Sequence, residues 1–279
     1  MTYFRLVTRV NGAAPRTLRL ERLDAVISQA ARSGFYRRRR LSLPECAPRD
    51  EDFLESCLEA VPTVELREFL ASPAEFYNWD HKPRPLHSLE CPLGDTGKTA
   101  LLAGGFEESG SLRSFPYAAH DELEEFAPDS LAGPVHRLCA LAEDAIEGRL
   151  TMRPLRSVVI AFTGLRHGCL KQEDRDLLWR AFQAPVFEQF RGFSQELLAW
   201  ECEAHDGLHI QIENAIFEIS AHGNQLLLTC LDCAEYSLLR MGTEMTGRIV
   251  RTPCGCGDAS PRLMGLRVLP ERRGPVVMA

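Results

Sequence analysis

Glu201-Cys202-Glu203-Ala204-His205-Asp206-Gly207-Leu208-His209-Ile210 is answered further along the chain by Cys254-Gly255-Cys256-Gly257. Two thiols separated by one residue, together with a distant Cys and His, can supply the four soft or borderline ligands of a tetrahedral zinc site. Asp206-Gly207 marks a turn, and the apolar run after it starts a strand that carries His209. Ligands at the end of one element and in a later loop can meet in space, so a metal there would tie two distant segments together.

Working outward, the composition is that of an ordinary globular chain. It has 279 residues, 45% apolar and 25% charged, enough for one large or two small domains. A net charge of −7 argues against a general nucleic-acid or anionic-membrane binder. The run Arg37-Arg38-Arg39-Arg40 is the local exception. It follows Phe35-Tyr36 at the end of an expected helix, where cations favour the helix C-terminus, and it reads as a solvated turn. No stretch reaches the roughly 18 apolar residues of a membrane span, and Met1-Thr2-Tyr3-Phe4-Arg5-Leu6 lacks a signal core. The ten cysteines then read as reduced thiols of a cytoplasmic protein, with metal binding a better use for the paired ones than disulfides.

Periodicity sets out the organisation. Residues 17–36 place Leu18, Leu20, Leu23, Val26, Ile27 and Ala30 at helical spacing, and 50–60 and 64–71 read as two shorter helices. Residues 78–93 are rich in Pro and read as a linker. A helix over 132–148, a buried strand over 157–162, a helix over 172–183 and a strand over 186–190 give the alternation a parallel sheet needs. Beyond it, 208–213, 215–220, 224–230, 236–241 and 246–251 read as short strands of an antiparallel meander. Gly94-Asp95-Thr96-Gly97-Lys98-Thr99 is not a P-loop, because Pro92 stands where the motif's first Gly must turn around phosphate.

Glu-Cys-Glu-x-x-Asp-Gly-Leu-His-Ile followed by Cys-x-Cys-Gly resembles the phenylacetate–CoA ligase and coenzyme F390 synthetase branch of the adenylate-forming enzymes. The resemblance is strongest over 186–265 and faint before 120. It implies an α/β fold: a truncated large domain of an adenylate-forming enzyme, with a mixed sheet, flanking helices and a mostly antiparallel β-subdomain carrying a zinc site. Three regions are expected: 1–131, helical with an eroded phosphate loop; 132–207, the α/β core; and 208–279, the β-subdomain.

The implied nucleotide site is Ser109, Gly110 and Ser111 in a small-residue loop, Gly192, Ser194 and Gln195 in the adenine-side turn, and Arg240 in the ribose-side segment. Each element departs from the family. The loop lacks its Lys, an aromatic residue is replaced by Arg191, a Mg²⁺-binding Glu by Gln195, and a ribose-binding Asp by Met245. No counterpart of the mobile C-terminal domain and its Lys follows residue 265. The resemblance therefore implies weak or no ATP–Mg²⁺ binding and a catalytically degenerate protein, with no catalytic residue assigned. That protein would be a zinc-stabilised module for an acyl or aromatic ligand or for a protein partner. The alternative is an active carboxylate-activating ligase that uses ATP or needs a partner subunit.

Four zinc arrangements compete. The family-like set is Cys202, His209, Cys254 and Cys256, a closed and hence structural site. A second replaces His209 with His205, a third pairs Cys230-x-x-Cys233 with Cys254-x-Cys256, and the fourth has no metal, the thiols being small core residues. Cys139 reads as core, and Cys46, Cys57, Cys91 and Cys169 are assigned nothing. His167, just after the 157–162 strand, stands where α/β sheets place ligands. Partners are expected to be a small carboxylic or aromatic ligand and a protein, or a second copy, docking near 100–118 and 150–162, with no nucleic acid and no membrane.

Overall fold

Val159-Ile160-Ala161-Phe162 is an apolar run in which successive side chains must point to opposite faces of a sheet. Val159 and Ala161 bury against one set of helices, while Ile160 and Phe162 join Leu101, Phe106, Ala132 and Phe187 on the other face. The computed structural model describes residues 13–39, 41, 51–79, 86–90, 94, 97–116, 119–220, 224–233 and 235–270. Arg40, Cys46, Lys82, Cys91, Pro92, Asp95, Thr96, Tyr117, His222 and most of the 78–93 linker lie outside the described residues.

The helices are α1 (Ala13–Arg32), α2 (Gly34–Arg38), α3 (Glu51–Ala60), α4 (Leu66–Ala71), α5 (His120–Phe126), α6 (Val135–Ile146) and α7 (Gln172–Phe182). The strands are β1 (Thr99–Leu101), β2 (Leu112–Ser114), β3 (Ser130–Pro134), β4 (Val159–Gly164), β5 (Val186–Arg191), β6 (Leu197–Glu201), β7 (Leu208–Ile210), β8 (Ala215–Ile219), β9 (Gln225–Cys230), β10 (Met241–Val250) and β11 (Arg262–Val268). Among the described residues the eleven strands join one sheet in the order β2-β1-β3-β4-β5-β6-β7-β11-β10-β9-β8. It is parallel from β2 to β5 and antiparallel from β5 onward.

Helices cover the two halves differently. α6 buries Val135, Leu138, Leu141 and Ala142, and α7 buries Leu178 and Phe182, on the parallel half. On the antiparallel half, α1 lays Leu23, Val26, Ile27 and Ala30 into a core with Leu226, Leu228, Leu239 and Met241. Leu18, expected on that face, is exposed. Tyr36 closes the seam: its hydroxyl accepts from Leu239 N at 2.9 Å and donates to Leu239 O at 3.3 Å. In the basic run, Arg38 pairs with Glu75, and Arg39 pairs with Glu68 while lying over the Phe35 ring. These pairs satisfy Arg38 and Arg39 within the chain.

Several expectations need correction. Residues 99–134, read as part of a helical region, supply β1, β2 and β3. Their strands are only three to five residues long, too short for periodicity to register. The segment 236–241 is not a strand of its own. A single strand, β10, spans Met241–Val250, and β11 lies beyond the expected meander. β7 is not next to β8 either, because β11 inserts beside it. β4 is interior to the sheet, which leaves β2 as the edge on the side expected to dock a partner. Among the described residues no helix is long and apolar enough to cross a membrane.

Candidate functional site

Two places in the fold gather chemistry: a Cys/His cluster in the antiparallel half and a cleft at the ends of the parallel strands. The cluster is built from three backbone features. Cys202 follows directly on β6, His209 is the middle residue of β7, and Cys254 and Cys256 lie in the turn between β10 and β11. Gly207 makes the β6–β7 turn possible: its φ is +86°, and a Cβ would sit 2.6 Å from Leu263 O. Gly257, at φ +88°, closes the second turn with its N–H on Cys254 O at 3.0 Å.

One donor atom from each of Cys202, His209, Cys254 and Cys256 lies within 4.8 Å of all the others. Cys202 Sγ is 3.6 Å from Cys254 Sγ, and Cys256 Sγ is 3.5 Å from His209 Nε2. A tetrahedral zinc with Zn–S near ~2.3 Å and Zn–N near ~2.0 Å spaces its ligands by roughly 3.5–3.8 Å, so these edges fit. His209 is fully buried, and its Nδ1 meets Ser260 Oγ at 2.9 Å, which orients Nε2 toward the thiols. Burial lowers the His209 pKa and keeps the ring in the neutral, ligating form. Burial also pushes the Cys202 thiol up to about 12, so a thiolate there needs a cation beside it. Arg262, 2% exposed, braces both turns through Asp206, and through Thr252 O at 3.1 Å.

The competing ligands are elsewhere. His205 Nδ1 meets Glu201 Oε1 at 3.0 Å, and its ring stacks on Phe187. Cys230 and Cys233 gather with Glu196 rather than with Cys254 and Cys256. Cys139 is half-buried beside Asp174 Oδ1 at 3.7 Å.

A carboxylate network holds the end of β6 that presents Cys202. Arg175 Nη2 reaches both oxygens of Glu201 at 3.0 and 2.8 Å and lies 3.6 Å from Glu188. Glu188 accepts from Thr163 Oγ1 at 2.7 Å. Burial, and then the Glu201 charge, raise its pKa from 4.5 to about 7. The folded chain thus keeps this proton at pH values where the unfolded chain has lost it. The stability it contributes is full below pH 4.5 and is lost as pH rises through about 7. Glu188→Gln should remove that slope and add roughly 1–3 kcal/mol at pH 8, read from urea midpoints across the range. Equal slopes in the two proteins would refute it.

The cleft, about 540 Å³, opens outside the carboxyl ends of the parallel strands. It is lined by Gly104 and Gly105 after β1, His136 and Arg137 after β3, Arg166 and His167 after β4, and Ser194 and Gln195 after β5, with Glu235 and Tyr236 opposite. The order β2-β1-β3 reverses direction at β1, and open α/β sheets bind ligands where their loops part in this way. His167 packs 6.1 Å from the His136 ring. Its pKa falls to about 4 through burial first, then through His136 and the nearby arginines. Both ring nitrogens of His167 and Oε1 of Gln195 are buried with no hydrogen-bond partner. Unpaired buried polar atoms lining one cleft call for a ligand or water.

The residues assigned to a nucleotide are not brought together. Ser109 and Ser111 line a different cavity of about 310 Å³, with Gly110 between them in sequence, beside the β2 edge. Ser194 and Gln195 line the main cleft. Gly192 packs against the Glu196 carboxylate, where a Cβ would lie 2.4 Å from Cδ. Arg240 is engaged at α3, with Nη1 on Glu59 O at 2.8 Å and Val61 O at 2.9 Å. Met245 is buried in the core on β10. An Asp at that position would bury a carboxylate rather than meet a ribose. Sequence reasoning flagged His167 but missed His136 and Arg137 as cleft residues, which stand next to a strand it did not detect.

A parallel α/β half with a crevice at its strand ends, joined in one sheet to an antiparallel half, is a fold this chain shares with solved acyl-CoA ligase structures. Three solved structures of 2-hydroxyisobutyryl-CoA ligase are similar to this chain. An open form with 2-HIB-AMP and CoA has a TM-score of 0.65 at 17% identity and covers 95% of this chain and 74% of its own. A thioesterification-state complex with the same ligands scores 0.65 at 18%, covering 92% and 69%. A postadenylation-state complex with R3-HIB-AMP scores 0.65 at 18%, covering 95% and 72%. No protein-family model matches the chain. No curated protein matches it either. Because those ligase structures contain an acyl adenylate, the likeness gives no support to the expected loss of nucleotide binding.

Proposed function

We propose that the chain is a ligand-binding member of the acyl-CoA ligase fold, in the phenylacetate–CoA ligase branch. Its cleft takes an anionic acyl or aromatic carboxylate ligand, and Cys202, His209, Cys254 and Cys256 hold a structural zinc. The unpartnered His167 and Gln195 atoms in the cleft carry this reading. Arg137 and Arg166 on the same wall favour a carboxylate or phosphate, and Phe193 and Tyr236 supply apolar surface. With four protein ligands the zinc would have no free position for water, so it fastens the β6–β7 turn to the β10–β11 turn and takes no part in chemistry.

The residues present do not suit ATP–Mg²⁺ as the resemblance would hold it. Gln195 offers an amide where a hard cation wants a carboxylate, Met245 is core, and Arg240 is already engaged. This supports a catalytically degenerate protein, and an edge at β2 supports a partner or second copy docking there. An active ligase is the second reading, favoured by the acyl adenylate in the similar structures. Calorimetric titration separates the two. An aryl carboxylate should bind, His167→Ala should weaken it about tenfold, equivalent to about 1.4 kcal/mol, and ATP–Mg²⁺ should bind poorly. Carboxylate-dependent pyrophosphate exchange would overturn the degenerate reading in favour of the ligase.

A further inference from the structure

Glu196, Cys230 and Cys233 form a second convergence of metal-ligating atoms, with one donor from each lying within 4.8 Å of the other two. All three residues are buried, at 1%, 1% and 4% exposure. Glu196 is held from two sides. Its Oε2 accepts from Ser194 N at 2.8 Å, and the carboxylate rests on Gly192, where no Cβ intrudes. That leaves Oε1 facing Cys230 Sγ at 3.3 Å. Cys230 ends β9 and Cys233 follows in the loop, the Cys-x-x-Cys spacing that presents two sulfurs to one ion. Cys233 also lies within hydrogen-bond reach of Cys230, so both sulfurs and the Glu196 oxygen converge on one buried point.

We propose that Glu196, Cys230 and Cys233 bind a second zinc-class divalent cation, separate from the Cys202 centre. Two sulfurs and one carboxylate oxygen select a borderline cation over Mg²⁺ or Ca²⁺. The charge balances: one divalent cation enters as two thiol protons leave to solvent, so the net charge of the buried cluster is unchanged. The buried Arg191 guanidinium offsets the Glu196 carboxylate in either state. Three protein donors leave one coordination position for water or another ligand.

The consequence lies in the cleft. Ser194 and Gln195 flank Glu196 on one side, and Glu235 and Tyr236 follow Cys233 on the other, and all four line the cleft wall. Ser194 Oγ already donates to Glu235 Oε2 at 3.1 Å across that wall. A cation behind it would staple the turn after β5 to the loop after β9 and hold the shape of the ligand site.

The test is metal counting on the reduced full chain, purified without chelator and titrated with Cd²⁺. Two equivalents are expected, falling to one in Cys233→Ser, to one in Cys256→Ser, and to none in the double variant. Cadmium NMR of the unsubstituted chain should give two resonances, one from a two-sulfur and one from a three-sulfur environment, so the question is decided even if a variant fails to fold. A single three-sulfur resonance, abolished by Cys256→Ser and untouched by Cys233→Ser, overturns the proposal. A single two-sulfur resonance lost with Cys233→Ser would uphold it and overturn the Cys202 centre instead. No bound cadmium overturns both.

Discussion

Cys254→Ser should lower unfolding stability by about 4 kcal/mol or more and abolish binding of the proposed zinc, because a structural site contributes its binding energy to folding. The geometry explains the size. Cys254 and Cys202 sit 3.6 Å apart on turns with no backbone hydrogen bond between them among the described residues, although β7 and β11 pair just beyond them. Without the ion, the Arg262 bonds to Asp206 and Thr252 would be left to hold the two turns beside three thiols and an imidazole. Cys57→Ser is the control: a half-buried thiol packed at the margin of the N-terminal core should cost about 1 kcal/mol or less. Paired measurements of zinc content and guanidinium midpoint decide the matter. A metal-free protein with an unshifted midpoint in Cys254→Ser would refute the structural centre.

Arg191→Met is expected to cost about 3–5 kcal/mol, and Arg191→Lys to recover little of it. The Arg191 guanidinium is buried between the Phe106 ring, 4.8 Å away, and the Phe162 ring, 4.5 Å away. It donates to Gln189 Oε1 through both Nε and Nη2, and to Gln195 O at 2.6 Å. Burial lowers its pKa to about 10, which still leaves it charged at neutral pH. Methionine would fill the volume but leave Gln189 Oε1 and Gln195 O without donors in the interior. A lysine has neither the planar face for two rings nor the fork for the two acceptors. Thermal and urea unfolding of both variants would check this, and a loss under about 1 kcal/mol in Arg191→Met would refute it. Arg191 thus acts as a buried brace that reaches the Gln195 turn from inside the sheet.

The strongest sequence signals were those with a physical cause confined to a few residues. The alternating faces of Val159 to Phe162, the helical stripe from Leu23 to Ala30 and the turn at Asp206-Gly207 each follow from local geometry, and each was legible in the chain. So was the pairing of Cys254-x-Cys256 with Cys202 and His209, as one of four alternatives. What brings these four residues together, and keeps His205 and the Cys230–Cys233 pair apart from them, is tertiary. β7 lies between β6 and β11, which carries His209 to the β10–β11 turn, while the end of β9 carries Cys230 and Cys233 to Glu196 instead. The same holds for the cleft. β1 and β3 are held by pairing on both sides within the sheet rather than by their own propensity, so neither they nor the His136 and Arg137 that follow β3 could be read from three- and five-residue segments. Arg240 and Met245 looked like ligand residues in sequence. The packing of α3 and β10 turned one onto helix-end carbonyls and the other into the core, because burial is decided by neighbours far apart in the chain.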